Sequence, residues 1–283
     1  MTRIVVTGAS GKAGRAVTSE LVEHGYDVLA IDIAPPSAHL GAPFLRVDLT
    51  EYGQTIEALH QADGVVHLAN IPAPGIYTPA HTFITNTAMN SNIFLAAAQL
   101  KLSRVVWASS ETTLGLPFDV PPRYAPVDEQ HFPLPTSTYA LSKVVAETMA
   151  EQISGWSGIP FVGLRFSNIL TLDDYVPIPT YWDDPQARKW NLWGYVDVRD
   201  AAAACRNALE ADLSGSHNLI IAAADTVMTR PSADLLAEVF PTVELTRDVG
   251  KFETLLAIDN ARRTIDYSPQ HTWRDHVPQG LDS

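Results

Sequence analysis

Between a short apolar run and a helical pattern, the chain reads Thr7-Gly8-Ala9-Ser10-Gly11-Lys12-Ala13-Gly14. Glycines at this spacing permit a tight turn, a close approach of the backbone to a pyrophosphate, and close packing of a helix on a strand. The start of the following helix would direct unpaired N–H groups and a favourable dipole at the phosphates. The stretch therefore predicts a dinucleotide-binding turn, with contacts from Gly8, Ser10, Gly11, Lys12, Ala13 and Gly14.

An acidic residue, Asp32, follows Gly14 by 18 positions and ends the second predicted strand. A carboxylate there can accept hydrogen bonds from the hydroxyls of an adenosine ribose and would repel a 2′-phosphate. The next residue is Ile33, so no arginine stands ready to hold such a phosphate. We therefore expect NAD rather than NADP as the cofactor.

Short apolar runs alternate with helical patterns through most of the chain. Strands are predicted at 4–6, 27–32, 44–48, 64–69, 104–109 and 161–165, and helices at 11–24, 51–61, 83–100 and 138–153. Near-continuous apolar strands are typical of a parallel sheet covered on both faces, with right-handed crossovers between strands. The predicted fold class is α/β, a doubly wound parallel-sheet Rossmann fold with a small C-terminal substrate-binding lobe.

Two proline-containing segments interrupt the alternation, at 116–136 and 171–192. Both are predicted to be irregular, and long ordered loops in a compact domain tend to be functional. A strand at 218–222, a helix at 232–239 and a closing polar segment are predicted after them. We expect residues 1–170, completed by about 196–222, to form the NAD-binding domain, and residues 171–195 and 223–283 to form the substrate-binding lobe.

A second chemical signal is the pair Tyr139 and Lys143, which are i and i+4 on a predicted helix and so share a face. Ser110 follows the fifth predicted strand, at the carboxyl end where open α/β sheets bind their ligands. With these residues the chain resembles the extended short-chain dehydrogenase/reductase family, the group of NAD-dependent epimerases and dehydratases. The matching pieces are Thr7-Gly8-x-x-Gly11-x-x-Gly14, Asp32, Asp48-Leu49, His67-Leu68-Ala69, Asn86, Ser109-Ser110 to Gly115, Tyr139-x-x-x-Lys143, Leu164-Arg165-x-x-Asn168 and Tyr195-Val196-Asp197-Val198-Arg199-Asp200.

The resemblance implies that Tyr139 is the general acid/base, and that Lys143 and the nicotinamide cation together lower its phenol pKa. The same resemblance implies that Lys143 binds the nicotinamide ribose and that Ser110 holds the substrate oxygen. It also implies that Asp48 and Leu49 contact the adenine side of NAD and that Ala69 lies under a ribose. Asn86 is expected either to bind the cofactor or to be a structural residue inside its helix. On the substrate side the expected contacts are Ser110, Glu111, Arg165, Asn168 and Trp193, with a structural role for Arg165 as the alternative.

One departure from the family concerns Trp193, which stands where sugar-nucleotide epimerases often carry an arginine on the diphosphate. Tryptophan cannot replace a bidentate guanidinium clamp. Acidic residues precede it in the same segment, at Asp173, Asp174, Asp183 and Asp184. The sequence therefore predicts that the substrate is not a nucleotide sugar.

Composition limits the remaining partners. The 19 Lys and Arg against 32 Asp and Glu give a formal charge of −13 without a basic cluster, so neither nucleic acid nor a membrane is expected as a partner. A single cysteine, Cys205, and the lack of a signal-like start indicate a cytoplasmic protein, and the histidines lack metal-ligand spacing. A homodimer is predicted through the helices at 83–100 and 138–153. Apolar surface for both packing and association comes from Ile93, Phe94, Ala97, Val144, Val145 and Met149, some of which are expected to face the sheet instead.

Taken together, these features predict an NAD-dependent oxidoreductase that transfers hydride reversibly at a secondary alcohol or ketone of a sugar, sugar acid or similar small polar substrate. One alternative is a sugar epimerase or dehydratase that recycles its NAD, because the same three residues serve both reactions. Another is a non-catalytic NAD-binding regulator, although a regulator has no need of Ser110, Tyr139 and Lys143.

Overall fold

A parallel sheet carries the fold, and the computed structural model describes residues 1–277. In chain order the strands are β1 (Arg3–Thr7), β2 (Asp27–Asp32), β3 (Phe44–Arg46), β4 (Gly64–His67), β5 (Arg104–Ser110), β6 (Phe161–Phe166), β7 (Ile169–Leu170), β8 (Val196–Asp197) and β9 (Ser216–Ile221). Within the described residues, seven of them pair in the order β3-β2-β1-β4-β5-β6-β9. Every pairing is parallel, and β7 and β8 form a separate two-stranded pair.

The strand order reverses between β1 and β4, because the chain runs outward from β1 to β3 and then returns to the other side. The helices are α1 (Lys12–Glu23), α2 (Tyr52–Leu59), α3 (Pro79–Leu100), α4 (Thr138–Ser157), α5 (Leu172–Tyr175), α6 (Val198–Glu210), α7 (Ser232–Val239) and α8 (Asp259–Ile265). Open sheets bind ligands at such a reversal, beyond the carboxyl ends of the strands. The reversal therefore positions the site beside the turn that follows β1.

Apolar side chains on alternate strand positions supply two cores, one on each face of the sheet. On β1, Val5 joins a core with Ile93 and Phe94 of α3, whereas Val6 joins a core with Val17 and Leu21 of α1. Both cores exclude water from the sheet, which explains why these strands read as continuous apolar runs. The predicted doubly wound α/β fold is confirmed.

Several boundaries differ from the prediction for local reasons. Helix α3 begins at Pro79 rather than at 83, because proline is well suited to the first turn of a helix. Helix α4 continues to Ser157 and stops at Gly158, which is left-handed with φ of 74°. The prediction missed α8, which lies in the closing segment that was described only as polar. The last six residues of the predicted lobe, 278–283, lie outside the described residues.

The six apolar residues of the predicted association surface divide between the sheet and the outside of the molecule. Ile93, Phe94 and Ala97 are fully buried against the sheet and cannot meet another chain. Val144, Val145 and Met149 on α4 are half-buried and remain accessible. No helix within residues 1–277 is long and apolar enough to cross a membrane.

Candidate active site

A cavity of about 1260 Å³ opens at the carboxyl edge of β1, β2, β4 and β5. Most of the predicted site residues line it, namely Gly8, Gly11, Lys12, Ala13, Gly14, Asp32, Asp48, Leu49, Ala69, Ser110, Glu111, Tyr139, Lys143 and Asn168. Four predicted residues do not line it, namely Ser10, Asn86, Arg165 and Trp193. One continuous cavity therefore joins the glycine turn to the Tyr139 end.

The glycine turn tolerates no side chain at two of its positions. Gly8 has a left-handed backbone with φ of 68°, and a Cβ there would lie 2.7 Å from the Ala69 nitrogen. A Cβ on Gly14 would lie 2.0 Å from the Gly8 carbonyl oxygen. The turn and the start of α1 pack at a distance that only glycine allows, which leaves a bare backbone cradle that fits a pyrophosphate.

Asp32 is held at the cavity wall by two backbone N–H groups. Ser10 N donates to Asp32 Oδ2 at 3.0 Å, and Ala34 N donates to Oδ1 at 3.2 Å. An ionised carboxylate has about four acceptor positions, so both oxygens can still accept from ribose hydroxyls. Ser10 thus orients Asp32 from outside the cavity instead of lining it.

Asn86 fixes the loop after β4 rather than lining the cavity. Its Oδ1 accepts from Ile71 N at 2.8 Å, and its Nδ2 donates to Ile71 O at 3.1 Å. Both ends of the amide are occupied and the side chain is fully buried. Of the two expected roles for Asn86, this geometry corresponds to the structural one, and the predicted cofactor contact is corrected.

Ser110, Tyr139 and Lys143 meet where β5 ends and α4 begins. Thr112 donates to Ser110 Oγ from its backbone N at 3.2 Å and from its hydroxyl at 3.0 Å. Lys143 Nζ lies 5.6 Å from the centre of the Tyr139 ring and donates to the Ala108 carbonyl at 2.6 Å. Ser137 caps the start of α4, because its hydroxyl accepts a hydrogen bond from Ala140 N. The cap fixes where the helix begins and so which of its faces carries Tyr139 and Lys143.

Burial dominates the electrostatics of this group. It raises the pKa of Tyr139 to about 12, with the Ser110 hydroxyl opposing the shift and Glu111 adding to it. Burial also lowers the pKa of Lys143 to about 7, with Glu147 opposing the shift. Desolvation therefore sets the direction of the Tyr139 shift in the protein alone, and the lowering of that pKa by Lys143 together with the nicotinamide charge stays a prediction for the NAD-bound enzyme.

Beside Ser110, Glu111 is a buried carboxyl group that lines the cavity. Asn191 Nδ2 donates to Glu111 Oε1 at 3.4 Å, and Glu111 Oε2 has no hydrogen-bond partner among the described residues. Burial raises the pKa of Glu111 to about 7, while Ser167, Asn191 and Arg188 oppose the shift. Glu111 Oε2 is thus a buried acceptor next to Ser110.

Arg165 and Trp193 both lie outside the cavity, and Arg165 takes the structural role that was its alternative. Arg165 on β6 makes a bidentate pair with Glu147 of α4, with both bonds at 2.8 Å, and the pair is buried. Trp193 is fully buried, and its indole Nε1 donates to the Pro185 carbonyl at 2.8 Å. Neither side chain reaches the cavity, so the predicted substrate contacts are not formed by this geometry.

Sequence reasoning missed residues that act through others. Thr7 Oγ1 accepts from the backbone of Leu68 and Ala69, both at 3.1 Å, and so joins the ends of β1 and β4. Thr112 could have been found from its place two residues after Ser110, a spacing typical of a hydroxyl-capped turn. Asn191 carried no such signal, since it lies far along the chain in an irregular segment.

Comparison with known proteins agrees with the geometry. The model of the NAD dependent epimerase/dehydratase family matches residues 4–177. The chain is 21% identical to the UDP-glucose 4-epimerase of Corynebacterium glutamicum, over 95% of this chain and 92% of that protein. It is 29% identical to the L-arabinose 1-dehydrogenase (NAD(P)(+)) of Haloferax volcanii, over 62% of this chain and 70% of that protein.

A solved structure of a mutated uronate dehydrogenase shares the fold. It is 22% identical, with a TM-score of 0.72, and the match covers 100% of this chain and 87% of that one. Other curated relatives are matched over only 50 to 55% of their own length. Since the family model covers more than half of the 283 residues, the chain belongs to the NAD dependent epimerase/dehydratase family.

Proposed function

We propose that this enzyme transfers hydride reversibly at a secondary alcohol or ketone of a sugar, sugar acid or similar small polar substrate. The observation that carries the proposal is that Ser110, Tyr139 and Lys143 line the same cavity as the glycine turn and Asp32. Similarity to an L-arabinose dehydrogenase supports the same reading. The substrate would occupy the Ser110 end, and the cofactor the remainder.

Different residues of the cavity would bind different parts of NAD. The glycine turn would hold the pyrophosphate, Asp32 the adenosine ribose, Asp48 and Leu49 the adenine side, and Lys143 the nicotinamide ribose. Asp48 lies at the rim, where its Oδ1 accepts from Thr50 N and Oγ1 at 2.9 and 2.7 Å. When bound, NAD supplies the two-electron acceptor for the alcohol carbon.

The protein groups then manage the proton. Ser110 Oγ already accepts from Thr112, so its own hydrogen is free to be donated to the substrate oxygen. The Tyr139 phenol is neutral at pH 7, because burial raises its pKa to about 12, and it can donate a proton to a carbonyl oxygen directly. In the oxidative direction the same oxygen takes the alcohol proton, and lowering the Tyr139 pKa is the task left to Lys143 and the cofactor charge.

The proposal also divides the chain into an NAD-binding part and a substrate-binding part. Residues 1–170 with about 196–222 would bind NAD, and 171–195 with 223–283 would bind substrate. Trp190 lines the cavity, whereas no residue between 223 and 277 does. That later segment supports the earlier one, since the Trp182 indole donates to the Val227 carbonyl at 3.1 Å.

A second candidate is an epimerase that recycles its NAD, and similarity to UDP-glucose 4-epimerases favours it. Dehydrogenation and epimerisation would both use Ser110, Tyr139 and Lys143, so only the identity of the product distinguishes the two reactions. The test is a panel of free sugars, sugar acids and UDP-sugars with NAD, read for NADH absorbance and for sugar interconversion. Accumulating NADH supports the dehydrogenase, whereas interconversion without net NADH would replace it with the epimerase.

A further inference from the structure

We propose that Lys12 and Asp174 form a clasp across the cofactor cavity, and that opening this clasp sets how fast NAD and NADH exchange. The clasp is the ion pair between these two side chains, and it joins the turn after β1 to the segment after β7. The inference goes beyond the proposed function, because it concerns the cofactor and holds whatever the substrate is.

The clasp links two walls of the cavity that lie far apart in the chain. Lys12 is the first residue of α1, directly after the glycine turn. Its Nζ lies 2.6 Å from Asp174 Oδ2 and donates to the Ile169 carbonyl at 3.2 Å. Lys12 and Ile169 both line the cavity, so the lysine side chain connects its two sides.

The two sides are also far apart in the sheet. Strands β4 and β5 lie between β1 and β6, so three inter-strand steps separate the two sides, about 14 Å at the usual spacing. Ala69, just after β4, and Ser110, at the end of β5, line the cavity between them. A dinucleotide that reaches from the glycine turn to Ser110 would therefore lie between the clasp and the carboxyl ends of these two strands.

Asp174 is held in place by its own turn. Its Oδ2 accepts from Thr171 N at 2.8 Å and from Thr171 Oγ1 at 2.7 Å. These bonds already order the carboxylate, so little further side-chain freedom is lost on the Asp174 side when the ion pair forms. The segment after β7 therefore offers a fixed anchor to a flexible lysine.

The clasp is weak enough to open. The Lys12 and Asp174 side chains are 43% and 36% exposed, so water screens their attraction. Such a pair adds little to stability, but breaking it adds to the barrier for a ligand that must pass it. A clasp that is closed both before and after binding slows entry and release alike and leaves the dissociation constant little changed.

A different role for Lys12 would be to leave Asp174 and bind the pyrophosphate of the cofactor. The two roles predict opposite effects of Asp174→Asn. If Asp174 only competes with the pyrophosphate for Lys12, the variant should bind NADH more tightly and release it more slowly. If the clasp sets exchange, the variant should release NADH faster.

The experiment measures NADH exchange by stopped-flow fluorescence, with energy transfer from tryptophan to NADH as the signal, because Trp190 lines the cavity. Excess NAD displaces bound NADH and gives the dissociation rate, and mixing at several NADH concentrations gives the association rate. Asp174→Asn keeps an oxygen for the Thr171 hydrogen bonds and loses only the charge. We expect both rates to rise by about two- to fivefold, the scale of a partly exposed ion pair, while the dissociation constant changes by less than about twofold.

The matched control is Asp173→Asn, which removes an exposed carboxylate from the same turn, outside the cavity, and should leave both rates unchanged. Lys12→Met tests the partner of Asp174. In the Lys12→Met background, Asp174→Asn should have no further effect on the dissociation rate, because the ion pair is already broken.

An unchanged or slower NADH dissociation rate in Asp174→Asn would overturn the inference. An equal effect of Asp173→Asn would overturn it too, as would an effect of Asp174→Asn that persists together with Lys12→Met. None of these outcomes touches the proposed function, because the rates are read without a substrate. A substrate panel that yields no hydride transfer would defeat the dehydrogenase and leave the measured exchange rates, and with them the clasp, in place.

Discussion

Asp32 offers a charge test for cofactor choice, because two backbone N–H groups hold its carboxylate at the cavity wall. Asp32→Ala removes a ribose partner and the repulsion of a 2′-phosphate, so the preference for NAD over NADP should narrow. Asp32→Asn keeps an acceptor but not the charge, so its preference for NAD over NADP should lie between those of wild type and Asp32→Ala. The measurement is the ratio of dissociation constants by fluorescence titration with NADH and NADPH, and an unaltered ratio in both variants would remove Asp32 from cofactor selection.

Tyr139 offers a test of proton transfer. Tyr139→Phe keeps the ring in its buried place, and only the hydroxyl is lost. Turnover should fall by roughly 10²-fold or more while NAD affinity changes by a small factor. Steady-state rates with NADH binding as the control check this, and wild-type turnover in the variant would show that another group carries the proton.

Glu111 gives a stability test that is independent of substrate. Its pKa is raised from 4.5 to about 7 in the folded protein, so the folded state binds this proton more tightly than the unfolded chain. By linkage, its contribution to stability is favourable below about pH 4.5 and is lost as pH rises to about 7. Glu111→Gln should therefore gain stability relative to wild type between pH 5 and pH 8, measured by urea unfolding. A difference that is equal at both pH values would contradict the raised pKa.

Local chemistry explains which site residues the sequence could indicate. Gly8, Gly14 and Asp32 are recognisable because their roles depend on a turn and on the strand and helix beside it. Arg165 could not be assigned in this way, since its partner Glu147 lies on a different element and a sequence does not show which carboxylate faces a guanidinium. The same limit applies to Trp193, whose burial depends on the packing of an irregular segment.

At the scale of elements, a buried polar cluster joins β5, β6 and α4. Glu147 accepts from Arg165 and also from Ser109, whose hydroxyl lies 2.5 Å from Glu147 Oε1. Helix α4 therefore meets the sheet through charges as well as apolar side chains. Tyr139 and Lys143 lie on the same helix as Glu147. By holding α4 against the sheet, the cluster therefore also positions these two site residues.

Removing one charge of the Arg165–Glu147 pair should destabilise the protein more than removing both. Arg165→Met leaves Glu147 charged and buried, and should lower the free energy of unfolding by about 3–5 kcal/mol. The double variant Arg165→Met with Glu147→Leu removes both charges and should recover part of that loss. The measurement is the free energy of unfolding in urea of both single variants and of the double variant. A double variant that is less stable than either single variant would contradict this prediction.

The strands could be predicted more reliably than the helix ends or α8. Continuous apolar runs such as Val105 to Ala108 within β5 are a strong local signal. Helix α8 reads Asp-Asn-Ala-Arg-Arg-Thr-Ile and buries only Ala261 and Ile265, so tertiary packing rather than an apolar stripe selects it.

At the scale of the whole molecule, the apolar side chains left exposed on α3 and α4 favour self-association. Ile84 is 64% exposed, Leu95 42% and Leu141 40%. We predict a homodimer through these two helices, and Leu95→Glu with Leu141→Glu should convert it to a monomer. Light scattering at micromolar concentration measures this, with Val120→Glu in the exposed loop as the control. A monomeric mass for wild type would refute the dimer.

The last strand of the sheet also has a consequence for synthesis of the chain. Strand β9 completes the edge beside β6, and the register pairs Phe161 with Ser216. At roughly 5–20 residues per second, a ribosome needs several seconds to pass from one to the other. During that interval β6 is a bare edge able to recruit a strand from another nascent chain. A stall in translation between these two strands would thus turn a correctly started sheet into a template for aggregation.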